Sequence, residues 1–332
     1  MDISAQTLRD RLSGALIAAA ATPMTESGEV DADVVARYFA SLVDDGADAL
    51  AVLAHTGRGP FLTPDTRAMV VERALALGVP VIVGVAGGAG EAGRQAQAAA
   101  ELGAHGVLVF PPEGGSEDGG EDGVRAAVHE EVWQAARLPM IAFDLYTRPC
   151  PPDVMREVLR HPGVAALKTA LLSDAMGCQR VIALTREAGR LAITGEDRMF
   201  GPSLLWGAQA ALVGIAAATV EATAAVMTAY RGADLRAFEE ASARLDRLAQ
   251  ATFTAPMEGY VQRMLWLAAA EGRIPETHAH DPYGPALPAG ERAGVVEHRV
   301  ERRIQPRVEP RVEHRGHRPP GGARRDDRHR PA

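Results

Sequence analysis

The chain has 332 residues, 47% of them hydrophobic, and a formal net charge of −8. That is enough for one large domain or two ordinary ones around a sizeable core. The acidic balance argues against a general nucleic-acid binder, and no stretch of roughly 18 apolar residues suggests a membrane span.

The opening MDISAQTLRDRLSG lacks the basic-then-apolar pattern of a secretory signal. The two cysteines, Cys150 and Cys178, make neither a metal-type spacing nor a disulfide framework. A cytoplasmic protein is expected. From there a regular rhythm sets in, with short apolar runs followed by longer helical stretches. The runs are ALIAAAATP (15–23), ALAVLAH (49–55), VPVIVGVAG (79–87), HGVLVFPP (105–112), LPMIAFDLY (138–146), GVAALKT (163–169), LAITGED (191–197) and AALVGIA (210–216). Each is continuous rather than alternating, as parallel strands buried on both faces are. Between them lie helical stretches such as DADVVARYFASLVDDG (31–46) and TPDTRAMVVERALALG (63–78). In the latter, Thr63 caps, Pro64 suits the first turn and Gly78 closes.

Eight such units are the arithmetic of an α/β fold of the TIM (β/α)8 barrel type, with an open doubly wound sheet as the competing solution. The barrel is expected over 1–219. The stretches VEATAAVMTAYRG, DLRAFEEASARLDRLAQATF and GYVQRMLWLAAAEG then predict a C-terminal helical bundle, over 220–290, packed on it. From 291 to 332 the chain is rich in Arg, His, Pro and Glu with few large apolar residues. It cannot bury enough surface to offset its ordering entropy, and a disordered tail is expected. The recurring Arg-Val-Glu at 299–301, 307–309 and 311–313 is low-complexity drift.

Three features carry chemistry. Gly88-Ala89-Gly90-Glu91-Ala92-Gly93 matches the dinucleotide pattern G-x-G-x-x-G between a strand-like and a helical run, with Glu113 about twenty residues on; a tolerant glycine-rich loop is the plainer reading. His278-x-His280-Asp281 hints at a metal but follows the last helix beside Pro282, as a loop does. The third feature is Lys168, the one lysine among 35 basic residues. On the barrel reading it stands at the C-terminal end of strand six, on the face where such enzymes do chemistry. Burial there lowers a lysine's pKa and frees a neutral amine that can attack a carbonyl, which a guanidinium cannot do. A bias toward arginine could replace every lysine needed only for charge, but not one needed as an amine. The plain alternative is a leftover lysine at a strand end.

With these segments in order, the sequence over about residues 13 to 275 resembles the class I pyruvate-dependent aldolases, the family of dihydrodipicolinate synthase and N-acetylneuraminate lyase. ALIAAAATPMTESGEVD is similar to the family's opening strand and turn, and Ala54-His55-Thr56-Gly57-Arg58 to its Gly-Thr-Thr-Gly-Glu carboxylate loop. GAHGVLVFPP resembles its fourth strand, LPMIAFDLYTRP its fifth, LKTA its Schiff-base strand, and ITGEDRMFGPSLLWGAQAALVGIA strands seven and eight. The resemblance implies that Lys168 forms the imine, that Thr56 and the Gly57 backbone hold the carboxylate of a 2-oxo acid such as pyruvate, and that Arg148 lies near a second substrate. It further implies an aldehyde as that second substrate, a homotetramer, and no cofactor or metal.

The departures bear on the reaction. The family's fifth-strand tyrosine, which relays protons, is Phe143, a ring that fills the space beside substrate but carries no proton. The first threonine of the carboxylate loop is His55, its glutamate is Arg58, and the synthase's second tyrosine falls around Glu113 and Gly114. His55 is the preferred substitute acid/base, with Tyr146, Glu113 and Asp144 also at strand ends. The expected activity is therefore an aldol cleavage, condensation or dehydration on a 2-oxo acid other than that of the lysine-biosynthetic synthase. A barrel that binds an oxo acid or a partner without turnover is the alternative, and an NAD-linked enzyme a third.

Overall fold

The computed structural model describes residues 1–88, 90–112 and 120–299. Its strands are β1 (Leu16–Ala19), β2 (Ala49–Val52), β3 (Val81–Val85), β4 (Gly106–Val109), β5 (Met140–Leu145), β6 (Val164–Ala170), β7 (Leu191–Thr194) and β8 (Ala210–Val213). They are parallel and close in sequence order, β8 returning to β1 through Ile17 opposite Leu212. Closure decides between the two expected sheets: the chain is a (β/α)8 barrel. Seven of the eight apolar runs hold one of these strands each, and β6 extends one residue past its run, to Ala170. No helix among the described residues is long and apolar enough to cross a membrane.

The helices are α1 (Ile3–Leu12), α2 (Ala32–Asp44), α3 (Pro64–Leu75), α4 (Glu91–Leu102), α5 (Gly120–Ala136), α6 (Pro152–Arg160), α7 (Ala175–Glu187) and α8 (Phe200–Leu205). After the barrel come α9 (Val220–Arg231), α10 (Leu235–Thr252), α11 (Tyr260–Ala270) and α12 (Glu291–Val296). Local chemistry sets their ends. Thr63 accepts from the Thr66 amide ahead of Pro64, and Gly78 sits at φ +72° beyond α3, as read from the sequence. α10 is capped by Asp234 and buries Phe238, Leu245, Leu248 and Ala249 along one stripe.

Alternation along each strand divides the barrel into two layers. Ile17, Ala51, Ile82, Leu108, Ile141, Phe143, Ile193 and Leu212 fill the interior. Val83, Val107, Ala142 and Leu167 face outward to the helices. α1 packs on the interior cluster at the N-terminal end, with Leu8 lying against Gly106, the first residue of β4. The C-terminal end is left for chemistry.

One expectation fails. Residues 291–296, expected within a disordered tail, form α12. The cause lies elsewhere in the chain: the fully buried Arg263 guanidinium pairs with Glu291, and Val295 is buried. An unpaired guanidinium in the interior would be strongly destabilising, so a charged segment is held by a partner its own composition does not disclose. The remainder of that segment, from 300 onward, lies outside the described residues, as do Glu113 and Gly114.

Candidate active site

Lys168 lies on β6 with Phe143 of β5 and Ile193 of β7 as its lateral neighbours. Its Nζ stands 4.3 Å from the centre of the Phe143 ring, and the residue is only 6% exposed. Burial pushes the amine down to about 8, against the pull of the Asp197 and Glu196 carboxylates. Burial in turn raises both carboxyls, even though Asp197 accepts from the Ile215 amide at 2.7 Å and Glu196 from the Leu171 amide at 2.6 Å. The lysine stem has room because position 195, just past β7, is glycine. A Cβ there would sit 2.3 Å from Lys168 Cε.

A second wall comes from the turn after β2. Leu53 adopts φ +56°, which a leucine rarely does, and its carbonyl is wedged between two glycines. A Cβ at Gly59 would fall 2.1 Å from that oxygen, and one at Gly84 2.3 Å from it. The turn is thereby pressed onto β3 and aims His55, Thr56 and Gly57 at the barrel mouth. Gly57 itself admits no side chain, since a Cβ would lie 2.9 Å from the Leu53 nitrogen, and its carbonyl accepts from Thr22 Oγ1 at 2.8 Å.

Above this turn stands a segment that sequence reading passed over. Met257–Gly259 forms a 3₁₀ turn leading into α11, and Glu258 gathers three partners there. His55 Nε2 lies 3.0 Å from its carboxylate, Tyr146 donates to it at 2.6 Å, and Arg58 donates to it at 3.2 Å. Burial by itself would raise this carboxyl; the hydrogen bonds from His55, Tyr146 and Arg58 prevail and hold it at about 2. Arg58 is also tied to Asp281 at 2.7 Å. Next to Glu258, Tyr260 shares a 3.0 Å hydrogen bond with Thr56.

The aromatic rings form a continuous lining. Ring centroids are 5.9 Å apart for Tyr260 and His55, 6.5 Å for His55 and Phe110, and 5.3 Å for Phe110 and Phe143. His55 and Lys168 thus stand at opposite ends of a wall made by two phenyl rings.

The remaining sequence candidates fall as follows. Tyr146 is in the site, bound through Glu258. Arg148 donates to the Pro111 and Pro112 carbonyls at 3.3 and 2.9 Å, beside the end of β4. Asp144 is displaced from the site: on β5 it alternates with Phe143, so it faces outward and accepts from the Cys150 amide at 2.7 Å. The glycine motif is filled from within. The Gly90 and Gly93 amides at the start of α4 both donate to Glu131 at 2.9 Å, and these are N–H groups a pyrophosphate would need. Asp281 of the His278-x-His280-Asp281 stretch is bound by Arg58. Glu258 and Tyr260 left no local signal: Arg58 and Thr56 lie 200 and 204 residues from them and Tyr146 lies 112 from Glu258.

The fold and site thus define a (β/α)8 barrel with one buried lysine at its C-terminal mouth. Residues 12–293 match the Dihydrodipicolinate synthetase family, and the chain belongs to that family. A 4-hydroxy-tetrahydrodipicolinate synthase of Mycolicibacterium gilvum is 28% identical over 301 residues, covering 85% of this chain and 95% of the relative. Dihydrodipicolinate synthase of Bacillus clausii superposes with a TM-score of 0.78 at 15% identity, covering 88% of this chain and 98% of that one. N-acetylneuraminate lyase of Mycoplasma synoviae does so with a TM-score of 0.72 at 18% identity, covering 87% and 96%.

Proposed function

We propose that this protein is a Schiff-base-forming lyase or aldolase acting on pyruvate or a related 2-oxo acid. The observation that carries the reading is Lys168: a solitary lysine, buried, at the end of β6, its amine lowered to about 8. At neutral pH roughly a tenth of such an amine is uncharged, against less than a thousandth for an exposed lysine. That fraction attacks the 2-oxo carbon. Thr56 and the Gly57 backbone hold the adjoining carboxylate, and the Phe110–Phe143 wall keeps water from the amine. The imine, once protonated, takes up the electron pair of a bond broken at the neighbouring carbon, or releases it to a second carbonyl.

His55 acts on that second carbonyl. It stands at the far end of the aromatic wall from the lysine and is oriented by Glu258, as a histidine is by a carboxylate in hydrolytic triads. An aldehyde oxygen held there receives a proton in condensation, and an alcohol loses one in cleavage. Tyr146 and Arg58 fix the same carboxylate, and Arg148 steadies the loop where the second substrate enters. Phe143 in place of the family's phenol is why the reaction is assigned outside the lysine-biosynthetic synthase. The assembly proposed is a homotetramer, on the family resemblance.

The test is borohydride reduction in the presence of pyruvate, followed by mass spectrometry of the Lys168 peptide. A reduced pyruvyl adduct on Lys168, absent from Lys168→Ala, supports the proposal. No adduct from pyruvate or from a panel of other 2-oxo acids, with the protein folded, overturns it in favour of a barrel that binds oxo acids without turnover. Phe143 is the residue that favours that second reading.

A further inference from the structure

Phe143 leaves the lysine without a phenol on the β5 flank, yet a buried phenol stands on the other side of the mouth. Tyr260, the first residue of α11, is 6% exposed, stacks on Phe253 with centroids 4.7 Å apart, and reaches Thr56 Oγ1 at 3.0 Å. Its place is made by Gly214, just past β8, where a Cβ would meet Tyr260 Cε2 at 3.0 Å and Thr56 Oγ1 at 3.2 Å. A larger residue there would drive the two hydroxyls apart. The mount is rigid. Arg263, fully buried, donates to the carbonyls of Thr252, Thr254, Ala255 and Pro256, and Arg58 ties Glu258 to Asp281.

Tyr260 and Lys168 border one ring-lined mouth: Tyr260 packs on His55, His55 on Phe110, Phe110 on Phe143, and the amine stands over Phe143. A hydroxyl pair this firmly held does more than fill space. One member, Thr56, is the group assigned to the substrate carboxylate, so the pair abuts the carbon next to it.

The geometry points to Tyr260 and Thr56 as the proton relay of imine formation, an assignment that rests on the Schiff-base reading above. In that step the Lys168 amine and the 2-oxo group become an imine and water. A C=N bond replaces C=O, two protons leave nitrogen, two arrive on oxygen, and nothing is oxidised or reduced. Tyr260 lends a proton through Thr56 to the carbonyl oxygen as Nζ adds. It recovers one through Thr56 from the nitrogen, which gives the carbinolamine, and a second lending and recovery by the same path protonates the hydroxyl as it leaves as water and takes the second proton from nitrogen. Burial keeps the phenol protonated in the resting site, so a proton is present to lend. Thr56 touches substrate; Tyr260 acts through it.

The experiment is the time course of adduct formation on Lys168 at saturating pyruvate, quenched with borohydride, in the wild type and in Tyr260→Phe. A relay changes the rate of approach to equilibrium and not its end point. The expected result is a rate about 100-fold lower with the final fraction of trapped Lys168 unchanged. A Tyr260 that merely holds Thr56 in place would lower rate and final fraction together, and that result overturns the inference, as does an unchanged rate. If Tyr260→Phe does not fold, the wild-type rate is measured in mixtures of H2O and D2O instead: a bowed dependence, from more than one proton moving together, supports the relay, and a linear or absent dependence overturns it. A wild type that forms no adduct is a different failure, since it removes the Schiff-base reading itself.

Discussion

The two sides of the barrel mouth are built from opposite materials. On the β4–β5 side, Phe110 and Phe143 present rings to the lysine and carry no exchangeable proton. On the other side, Gly195 and Gly214 withdraw, and the space is taken by the lysine stem, Thr56 and Tyr260. The glycine past β7 leaves room for the lysine stem, and the one past β8 lets Tyr260 of the C-terminal segment reach Thr56. On the proposed relay, the difference teaches that proton-carrying groups need not lie on the strand beside the lysine. They can be supplied from another element if the backbone nearby is stripped of side chains.

The largest effect should come from removing the amine both sides face. Lys168→Ala is expected to abolish adduct formation, and Lys168→Arg should do the same while keeping the charge, since a guanidinium is not a nucleophile. Mass spectrometry after borohydride reads both. Next is pH. Burial depresses the ammonium to about 8, so the reactive neutral form is depleted about tenfold for each unit below that value. The initial rate of trapping should rise about 50-fold between pH 6 and 8 and gain only about twofold more above it. A rise continuing to pH 10 would mean that the amine is not desolvated and that the apolar side does nothing to it.

Glu258→Gln sharpens the comparison, because it leaves the Phe110–Phe143 wall and the lysine in place. The charge that holds His55, Tyr146 and Arg58 together is lost, and acceptor-dependent turnover should fall about 10- to 100-fold. The rate of adduct formation with pyruvate alone should stay near that of the wild type. Equal losses in both assays would show that the two halves of the reaction share one proton-carrying group.

How far all this could be read from the sequence follows from the range of the interactions. Lys168, Phe143 and the 54–58 turn were legible because each lies within a strand-like run or directly after one, where continuous apolar patterning fixes strand and mouth. Asp144 was noted only as a strand-end residue, and alternation beside Phe143 already turned it outward. Glu258 and Tyr260 were invisible because nothing local marks them; their meaning is conferred by Thr56 and Arg58, far away in the chain. α12 was hidden for the same reason, since its Arg- and Glu-rich composition says solvent while Arg263 says partner.

The smallest effect tests where Arg148 belongs. The family resemblance puts its guanidinium near a second substrate; its Nη1 donates to the Pro111 and Pro112 carbonyls, and Arg125 donates to the Arg148 carbonyl. These bonds lash the loop after β5 to the loop after β4, on the apolar side. Charge-assisted bonds of this kind are worth about 1.5–3 kcal/mol each when a buried acceptor is left bare, and less where water can replace the donor. Arg148 is half-buried, so Arg148→Ala should cost about 1.5 kcal/mol, a fall of a few degrees in thermal midpoint. The KM for an aldehyde acceptor should change less than threefold, about 0.6 kcal/mol. A KM raised tenfold or more with the midpoint unmoved would reverse this, assigning the guanidinium to the substrate and placing a charged recognition group on the side that otherwise offers only rings.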